Sequence, residues 1–219
     1  MMKKINMKIL IITGLVCLVP IIFGLYYYNE LPNQIAVHFN YNNVPDNYAP
    51  KFFAVFGIPF FLLLLQIFMC VVNDLSEKNR DANRKITMVS KWIIPIISVV
   101  INITVIRFSL GKTSNINKPV CIILGIVFVI LGNYLPKTKQ NSIIGVRTKY
   151  TLSSEEIWQK SARVTGYIMI IFGVMFIVSA FLDTMIAVAT LIAFVVAMLI
   201  VSFVYPYRLA KKSGVDRRK

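Results

Sequence analysis

Six long apolar runs constrain the fold of this chain more than any other feature of its sequence. A helix of about 20 apolar residues crosses a hydrocarbon core of about 30 Å. Backbone groups inside lipid must form their hydrogen bonds within the segment, and the runs lack the alternation of a β-barrel strand. The pattern therefore predicts an all-α membrane protein, a six-helix transmembrane bundle. The runs are Ile9–Tyr28, Phe52–Val72, Trp92–Leu110, Pro119–Leu135, Val164–Leu182 and Met185–Tyr205.

The basic charge of the chain predicts how these helices are oriented. The sequence has 24 Lys and Arg against 9 Asp and Glu, a formal net charge of +15. By the positive-inside rule, the protein is expected in the cell membrane as a multi-pass protein with both termini cytoplasmic. Because orientation accounts for the charge, direct nucleic-acid binding is not expected. The basic residues lie at both termini and in the second-to-third and fourth-to-fifth connections, except for Lys51, Arg107, Lys112 and Lys118.

The first connection, residues 29–51, predicts a small ordered extracellular cap between helices 1 and 2. Apolar side chains alternate with other residues along Ile35–Phe39, which predicts a short strand. The dipeptides Asn42-Asn43, Pro45-Asp46 and Ala49-Pro50 are typical of turns.

His38 is the only histidine of the chain and lies within this cap. Asp46 and Glu30 are near it in the sequence. One histidine and two carboxylates at irregular spacing are compatible with a metal ion or with a hydrogen-bonded histidine, and both alternatives stay open. The pattern is too weak for a metal prediction, and no cofactor is expected.

The fourth connection, residues 132–163, predicts a structured cytoplasmic loop between helices 4 and 5. Ser153 is expected to cap the next helix, with Glu156 reaching back as in a capping box. Arg147, in a Gly-x-Arg-Thr turn, is expected to hold helix-end carbonyls or Glu156, with direct contact to a partner as the alternative. Trp158 is expected to anchor the loop at the membrane interface.

Polar residues elsewhere give further expectations. Residues 73–91 predict a short solvated helical hairpin. Asn102, inside the third run, predicts an interhelical hydrogen bond or a functional group in the membrane. Arg107 is expected to extend toward the outer interface. No disulfide framework is expected, because the three cysteines all lie within apolar runs: Cys17, Cys70 and Cys121.

Two motifs resemble those of the SdpI family of bacterial membrane immunity proteins, which give Gram-positive bacteria resistance to SDP-type toxin peptides. The motif in the first connection consists of Leu31, Pro32, Ile35, His38, Phe39, Asn40, Asp46 and Lys51. The signature in the fourth connection consists of Asn133, Tyr134, Pro136, Asn141, Gly145, Arg147, Thr148, Glu156, Trp158 and Arg163. With this signature the chain divides into residues 1–91, two transmembrane helices with the cap loop 29–51, and residues 92–219, four transmembrane helices with the signature 132–163.

The resemblance implies an integral membrane immunity protein that protects the producing cell against an exported antimicrobial peptide toxin. The first motif would bind the toxin at the outer face, and membrane lipid surrounds the bundle. Some members of the family also signal by sequestering a cognate repressor at the membrane, so a cytoplasmic transcriptional repressor is a further implied partner. Ser161 and Ala162 stand where the family commonly has Thr-His, which removes one candidate base from this chain.

Two other function classes stay open as alternatives. An intramembrane peptidase acting on a peptide needs a nucleophile with a base, paired carboxylates or a metal. The sequence has no GxSxG, no HExxH and no pair of membrane-embedded aspartates, so an enzyme is not expected. A membrane transporter needs polar groups near the middle of the membrane, for which the candidates are Gln66, Asn102 and Thr104.

Overall fold

Long helices dominate the computed structural model, which describes residues 5–75, 83–141 and 143–213. Six of these helices are long and apolar enough to cross a membrane, so the six predicted spans are confirmed. The basic residues expected near the two termini and in the second-to-third connection fall partly outside the described residues. The six helices are Met7–Tyr26, Phe53–Leu75, Arg84–Ser109, Asn117–Lys137, Glu155–Ser179 and Thr184–Lys212.

The elements follow one another with short connections. Two of the helices begin about two turns earlier than the apolar runs predict, because their first turns are polar: the third begins at Arg84 and the fifth long helix at Glu155. In chain order the elements are α1 Met7–Tyr26, β1 Gln34–Phe39, β2 Pro45–Pro50, α2 Ile58–Leu75 preceded by a π-helical turn Phe53–Gly57, α3 Arg84–Ser109, α4 Asn117–Tyr134 with a 3-10 turn Leu135–Lys137, α5 Lys149–Ser153, α6 Glu155–Ser179, α7 Thr184–Leu199 with a π-helical turn Ile200–Val204, and α8 Tyr205–Lys212.

Helices α4 and α6 approach each other through glycines. A Cβ atom on Gly125 would lie 2.5 Å from the carbonyl oxygen of Gly173, and one on Gly132 would lie 2.6 Å from the carbonyl oxygen of Gly166. Each helix repeats its glycine after seven residues, two turns, so both contacts fall on one face. The absence of side chains lets the two backbones touch, the packing that small residues give membrane helices.

The cap is a two-stranded antiparallel hairpin. Ile35 pairs with Ala49, and the register shifts around His38. The strand predicted over Ile35–Phe39 is present as β1, whereas the second strand, β2, was not predicted. The all-α fold class therefore does not hold for the cap. The turn predicted at Asn42-Asn43 is confirmed, with the N–H of Asn43 donating to the carbonyl of Asn40 at 2.9 Å. The turns predicted at Pro45-Asp46 and Ala49-Pro50 are wrong, because both prolines lie at the ends of an edge strand, where no ladder N–H is needed.

The base of the hairpin is seated on the helices. Leu31 and Ile35 are buried against Val55 and Ile106, which brings the hairpin onto α3 and the helical turn that precedes α2. Apolar burial of this kind fixes the orientation of the hairpin relative to the bundle. We call this end of the molecule, with the ends of α1 and α3 and the start of α4, the hairpin end.

A buried ion pair joins α2 to α3 at the other end of the bundle. The Nζ atom of Lys91 lies 2.6 Å from Oδ1 of Asp74, and the two residues are 2% and 4% exposed. The backbone N–H of Asn6 donates to the second carboxylate oxygen, Oδ2, at 3.0 Å. The solvated hairpin predicted over residues 73–91 is therefore wrong at both of its ends, and its middle, residues 76–82, lies outside the described residues.

The polar residues inside the bundle connect α1, α2 and α3. Asn102 donates to the carbonyl of Ser98 in its own helix at 2.8 Å, so the predicted interhelical bond is wrong. The link between helices comes from Ser98 instead, whose hydroxyl donates to the carbonyl of Cys17 at 2.9 Å. Gln66 donates to Thr13 Oγ1 at 2.8 Å and thereby joins α2 to α1. These bonds satisfy polar atoms where lipid offers no partner.

Candidate functional site

The tip of the hairpin is fastened to the start of α4 by Asn43. This residue has a left-handed backbone, φ 63°, which asparagine tolerates better than most residues. Its Oδ1 accepts the backbone N–H groups of Ile116, at 2.9 Å, and Asn117, at 3.3 Å, and its Nδ2 donates to the carbonyl of Ser114. Free N–H groups at a helix start need such an acceptor. Asn43 therefore caps a helix that begins more than 70 residues later.

Two predicted residues of the first motif build the hairpin turn. Oδ1 of Asn40 accepts the N–H groups of Asn42 and Val44, each at 3.0 Å, as in an Asx turn. The ring of Phe39 lies edge-on to that of Phe108, with the ring centres 4.8 Å apart. Asn40 thus shapes the turn, and Phe39 fastens the strand that leads into it to the end of α3.

Lys51 holds together the two chain segments at the base of the hairpin. Its Nζ donates to the carbonyls of Tyr28, at 3.1 Å, and Leu31, at 3.2 Å, and lies 4.6 Å from the centre of the Tyr28 ring. An ammonium group that bonds to carbonyls and faces an aromatic ring is well satisfied. This lysine is structural in the geometry observed, and its charge does not face outward as a free group.

The exposed part of the first motif consists of Pro32, His38 and Asp46. Nδ1 of His38 lies 2.5 Å from Oδ1 of Asp46, and the side chains are 65% and 43% exposed. The hydrogen-bonded alternative for His38 is thus observed. Within the described residues no group of three or more His, Cys, Asp and Glu is placed to hold a metal ion. The hairpin also exposes three apolar side chains that the sequence analysis did not identify, Tyr41, Val44 and Tyr48. The two tyrosines flanking a predicted turn could have indicated them.

Trp158 is the centre of the second candidate region, the signature end, which comprises residues 135–154, the start of α6 and α8. It is 1% exposed, and its Nε1 donates to the carbonyl of Thr138 at 3.0 Å. The predicted interface anchor is therefore wrong: the indole is a core group that finds its hydrogen bond inside the loop. Gly145, at φ 121°, passes over the ring, and a Cβ there would lie 3.0 Å from Trp158 Cη2.

Asn141 organises the turn before this glycine. Its Oδ1 accepts the N–H groups of Ile143, at 2.9 Å, and Ile144, at 2.7 Å, and its Nδ2 donates to the carbonyls of Lys139 and Ile144. Asn83, at the start of α3, pairs with both backbone groups of Lys139. Side-chain amides therefore hold Lys139 and residues 143–144 of this loop in place.

The helix starts in this region differ from the predicted capping box. Thr148 and Thr151 form a capping box at the start of α5, and Ser154, not Ser153, caps α6 through the N–H of Ile157. Glu156 does not reach back, because it forms an ion pair with Lys160 at 2.6 Å, one turn further on. The prediction placed the cap one residue early, because Ser153 is the last residue of the short helix α5, which was not predicted.

The remaining signature residues divide into packed and exposed groups. Pro136 is packed on Gly166, where an added Cβ would lie 2.6 Å from its Cγ. Tyr134 is half-buried, with Lys137 Nζ 5.7 Å from its ring centre. Arg147 is exposed and forms no ion pair within the described residues, so the predicted contact with Glu156 is wrong. The other exposed residues of the signature are Asn133, Gly145, Glu156 and Arg163.

A cavity of about 350 Å³ opens beside the signature loop. Its walls come from α4, α6, the end of α7 and residues 144–148, so the signature contributes one side of it. Arg147 is the charged residue in the lining, and most of the other side chains are apolar. The arrangement is suited to binding, since a cation borders an apolar space.

Comparison with known proteins confirms the resemblance predicted from the sequence. Residues 15–63 match a domain of unknown function (DUF1648), and residues 137–207 match the SdpI/YfhL protein family. Over 211 residues the chain is 25% identical to the Immunity protein SdpI of Bacillus subtilis (strain 168). The aligned region covers 96% of this chain and 100% of that protein. No solved structure matches the chain. The two matched segments contain the hairpin and most of the signature end.

Proposed function

We propose that this protein is an integral membrane immunity protein that protects its cell against an exported antimicrobial peptide toxin. The similarity to an immunity protein along the whole length of that relative is the observation that carries the proposal. Six helices long and apolar enough to cross a membrane support this proposal, because a peptide that attacks membranes acts there. A role in binding, without catalysis, accounts for these features.

The distribution of charge supports an outward-facing hairpin. Basic side chains gather at the signature end, where described examples are Lys139, Lys149 and Arg163, whereas Lys51 at the hairpin end is engaged with carbonyls. Loops rich in Lys and Arg stay in the cytoplasm. In this proposal both termini are cytoplasmic and the hairpin is the first part of the protein that an arriving toxin meets.

The toxin-binding surface in this proposal is the exposed part of the hairpin. His38 and Asp46 supply polar groups, and Tyr41, Val44 and Tyr48 supply apolar area. An amphipathic peptide needs both kinds of contact, and aromatic side chains give large contact area at a low cost in conformational entropy. Capture at this surface keeps the peptide from inserting into the bilayer.

The buried residues of the first motif act through position in this proposal. Leu31 and Ile35 lie in the apolar cluster under the hairpin, and Lys51 joins its two ends. With Asn43 fastening the tip to α4, the hairpin is held at both its base and its turn. A surface fixed before binding loses less entropy when the toxin is captured.

We also propose that the signature end recruits a cytoplasmic repressor when toxin is bound. The observation in favour is a loop ordered by side-chain amides that carries the exposed Lys139, Arg147 and Lys149, with no ion pair for Arg147 among the described residues. Such signalling requires that the repressor bind one state of the protein better than the other. The measurement is co-fractionation of the repressor with membranes, and partitioning that ignores toxin would contradict the recruitment.

The immunity proposal is tested by survival of toxin-sensitive bacteria that express the protein and are exposed to an SDP-type peptide. Survival is expected to rise over an empty vector, and His38→Ala with Asp46→Ala is expected to remove most of the gain. Glu30→Gln is the matched control, because this exposed residue precedes the hairpin. Unchanged survival with the wild-type protein would overturn the proposal. Full protection by the double variant would overturn the hairpin as binding surface.

Recovery of the peptide after incubation with the purified protein separates binding from degradation. Intact peptide is expected, because the described residues offer His38 and Asp46 as an exposed pair without a neighbouring nucleophile in hydrogen-bond contact. Specific cleavage fragments would instead indicate a peptidase and would contradict a role in binding alone.

A further inference from the structure

The cavity beside the signature loop has a size and lining suited to an acyl chain. Its volume of about 350 Å³ lies at the small end of ligand pockets, which are about 300–1,000 Å³. Leu131, Leu135, Met169 and Met198 line it, and methionine adapts readily to flexible apolar ligands. A single hydrocarbon chain matches such a lining, whereas a folded partner does not fit inside it.

A second observation points to a ligand in this cavity. Thr165 lies in its wall and is 2% exposed, yet its hydroxyl oxygen has no hydrogen-bond partner among the residues that the structure describes. A buried hydroxyl left without a hydrogen-bond partner is unfavourable, because it has lost its bonds to water. An ester or carboxyl oxygen of a bound amphiphile would supply the missing partner.

The positive charge at the rim of the cavity favours a ligand with a negative charge. Arg147 borders the cavity, and within the described part of the chain it has no ion pair. The nearest acidic residues in sequence are engaged elsewhere, Glu155 with Gln159 and Glu156 with Lys160. A guanidinium group binds phosphate and carboxylate through paired hydrogen bonds, so an acidic head is the matching group.

The wall contributed by the last long helix departs from regular α-helix. Ser202 and Phe203 line the cavity and belong to the π-helical turn Ile200–Val204. Single π-helical turns inside longer helices occur frequently at functional sites. The irregular turn therefore contributes one polar and one apolar side chain to the cavity wall.

We propose that this cavity binds one acyl chain of an anionic amphiphile, with Arg147 holding the acidic head and Thr165 bonding to an oxygen at the start of the chain. The amphiphile is either an anionic membrane phospholipid or a free fatty acid. The site is separate from the hairpin and goes beyond the immunity function. Basic pockets between transmembrane helices are known to take anionic lipid heads.

Delipidated full-length protein in detergent tests this proposal by native mass spectrometry. The probes are phosphatidylglycerol, phosphatidylcholine with the same chains, and oleate. Phosphatidylglycerol or oleate is expected to bind roughly tenfold more tightly than phosphatidylcholine, as loss of a charge-assisted hydrogen bond implies. Preference between the two anionic probes identifies the source of the ligand. Equal binding of phosphatidylglycerol, phosphatidylcholine and oleate would overturn the proposal.

Variants show whether the cavity is the place of binding. Arg147→Gln and Thr165→Val are expected to abolish the preference or weaken binding, whereas Thr165→Ser, which keeps the hydroxyl, is expected to retain it. Arg208→Gln removes an exposed charge from α8, outside the cavity, and is the matched control. If Arg147→Gln loses no more affinity than Arg208→Gln, the assigned site is wrong.

A measurement on nearly native protein guards against a variant that fails to fold. Trp158 contacts Gly145, which lines the cavity, and the chain has one other tryptophan, Trp92. In Trp92→Phe protein, a phosphatidylglycerol with brominated chains is expected to quench Trp158 fluorescence, and addition of the unbrominated lipid is expected to restore it. Fluorescence that the brominated lipid leaves unchanged would contradict a chain in this cavity.

Discussion

Gly132 of α4 and Gly166 of α6 meet backbone to backbone, so that a Cβ atom on Gly132 would lie 2.6 Å from the carbonyl oxygen of Gly166. Pro136 packs against the same glycine and begins the chain that forms the signature loop. The cavity and the loop therefore depend on how closely these two helices approach. Separation of α4 from α6 would widen the cavity and displace the residues on either side of it, Pro136 and residues 144–148.

Gly132→Ala is expected to destabilise the protein by about 1–3 kcal/mol, because the new methyl group collides with backbone that cannot move aside. Gly14→Ala is the control: its Cβ would meet Leu63 Cδ1, the end of a flexible side chain, at 3.1 Å. Reversible unfolding in detergent measures both. Equal stability of the two variants would show that α4 and α6 are not in close contact.

Asn43→Ala is expected to loosen the hairpin, because the start of α4 loses its cap, at a cost of about 1 kcal/mol. Asn43→Gly separates the loss of the capping side chain from backbone strain, since glycine adopts the observed φ of 63° without strain. Amide hydrogen exchange at residues 40–48 and 115–118 measures the effect. Faster exchange is expected in both variants at both segments, and exchange that changes at one segment alone would contradict the link.

Lys91→Met is expected to destabilise the bundle by about 3–5 kcal/mol, because the buried Asp74 carboxylate loses the ammonium group that lies 2.6 Å from it. The double variant Lys91→Met with Asp74→Leu is expected to recover much of this loss, since both charges of the buried pair are then replaced by apolar groups. Unfolding in detergent is again the measurement. A single variant as stable as the wild type would mean that water reaches this ion pair.

Trp158→Phe is expected to cost about 1 kcal/mol through the lost hydrogen bond to the Thr138 carbonyl. In Trp92→Phe protein, the emission of Trp158 is expected to resist aqueous quenchers, because the indole is 1% exposed. Ready quenching by iodide would contradict the buried position and favour the interface anchor that the sequence alone suggested.

The sequence was informative wherever one local rule decided the outcome. Apolar length alone gave the six spans, and alternation gave β1. Contacts between distant residues could not be predicted: Asn43 caps a helix more than 70 residues away, and Lys91 forms an ion pair with Asp74 across a connection. Some local predictions also failed, because the prolines of β2 lie at strand ends and Ser154, not Ser153, caps α6. Trp158 was predicted at the interface because tryptophan is enriched there. Only the fold shows that Gly145 of the loop lies over its ring.

Direct capture of toxin by the hairpin is the central claim, and site-specific crosslinking on whole cells tests it most directly. A photoreactive amino acid replaces Tyr41 at the hairpin end or Lys139 at the signature end, both exposed. After illumination with an SDP-type peptide outside the cells, a covalent adduct is expected from position 41 and none from position 139. An adduct at position 139, or none at either position in cells that survive the toxin, would contradict the account.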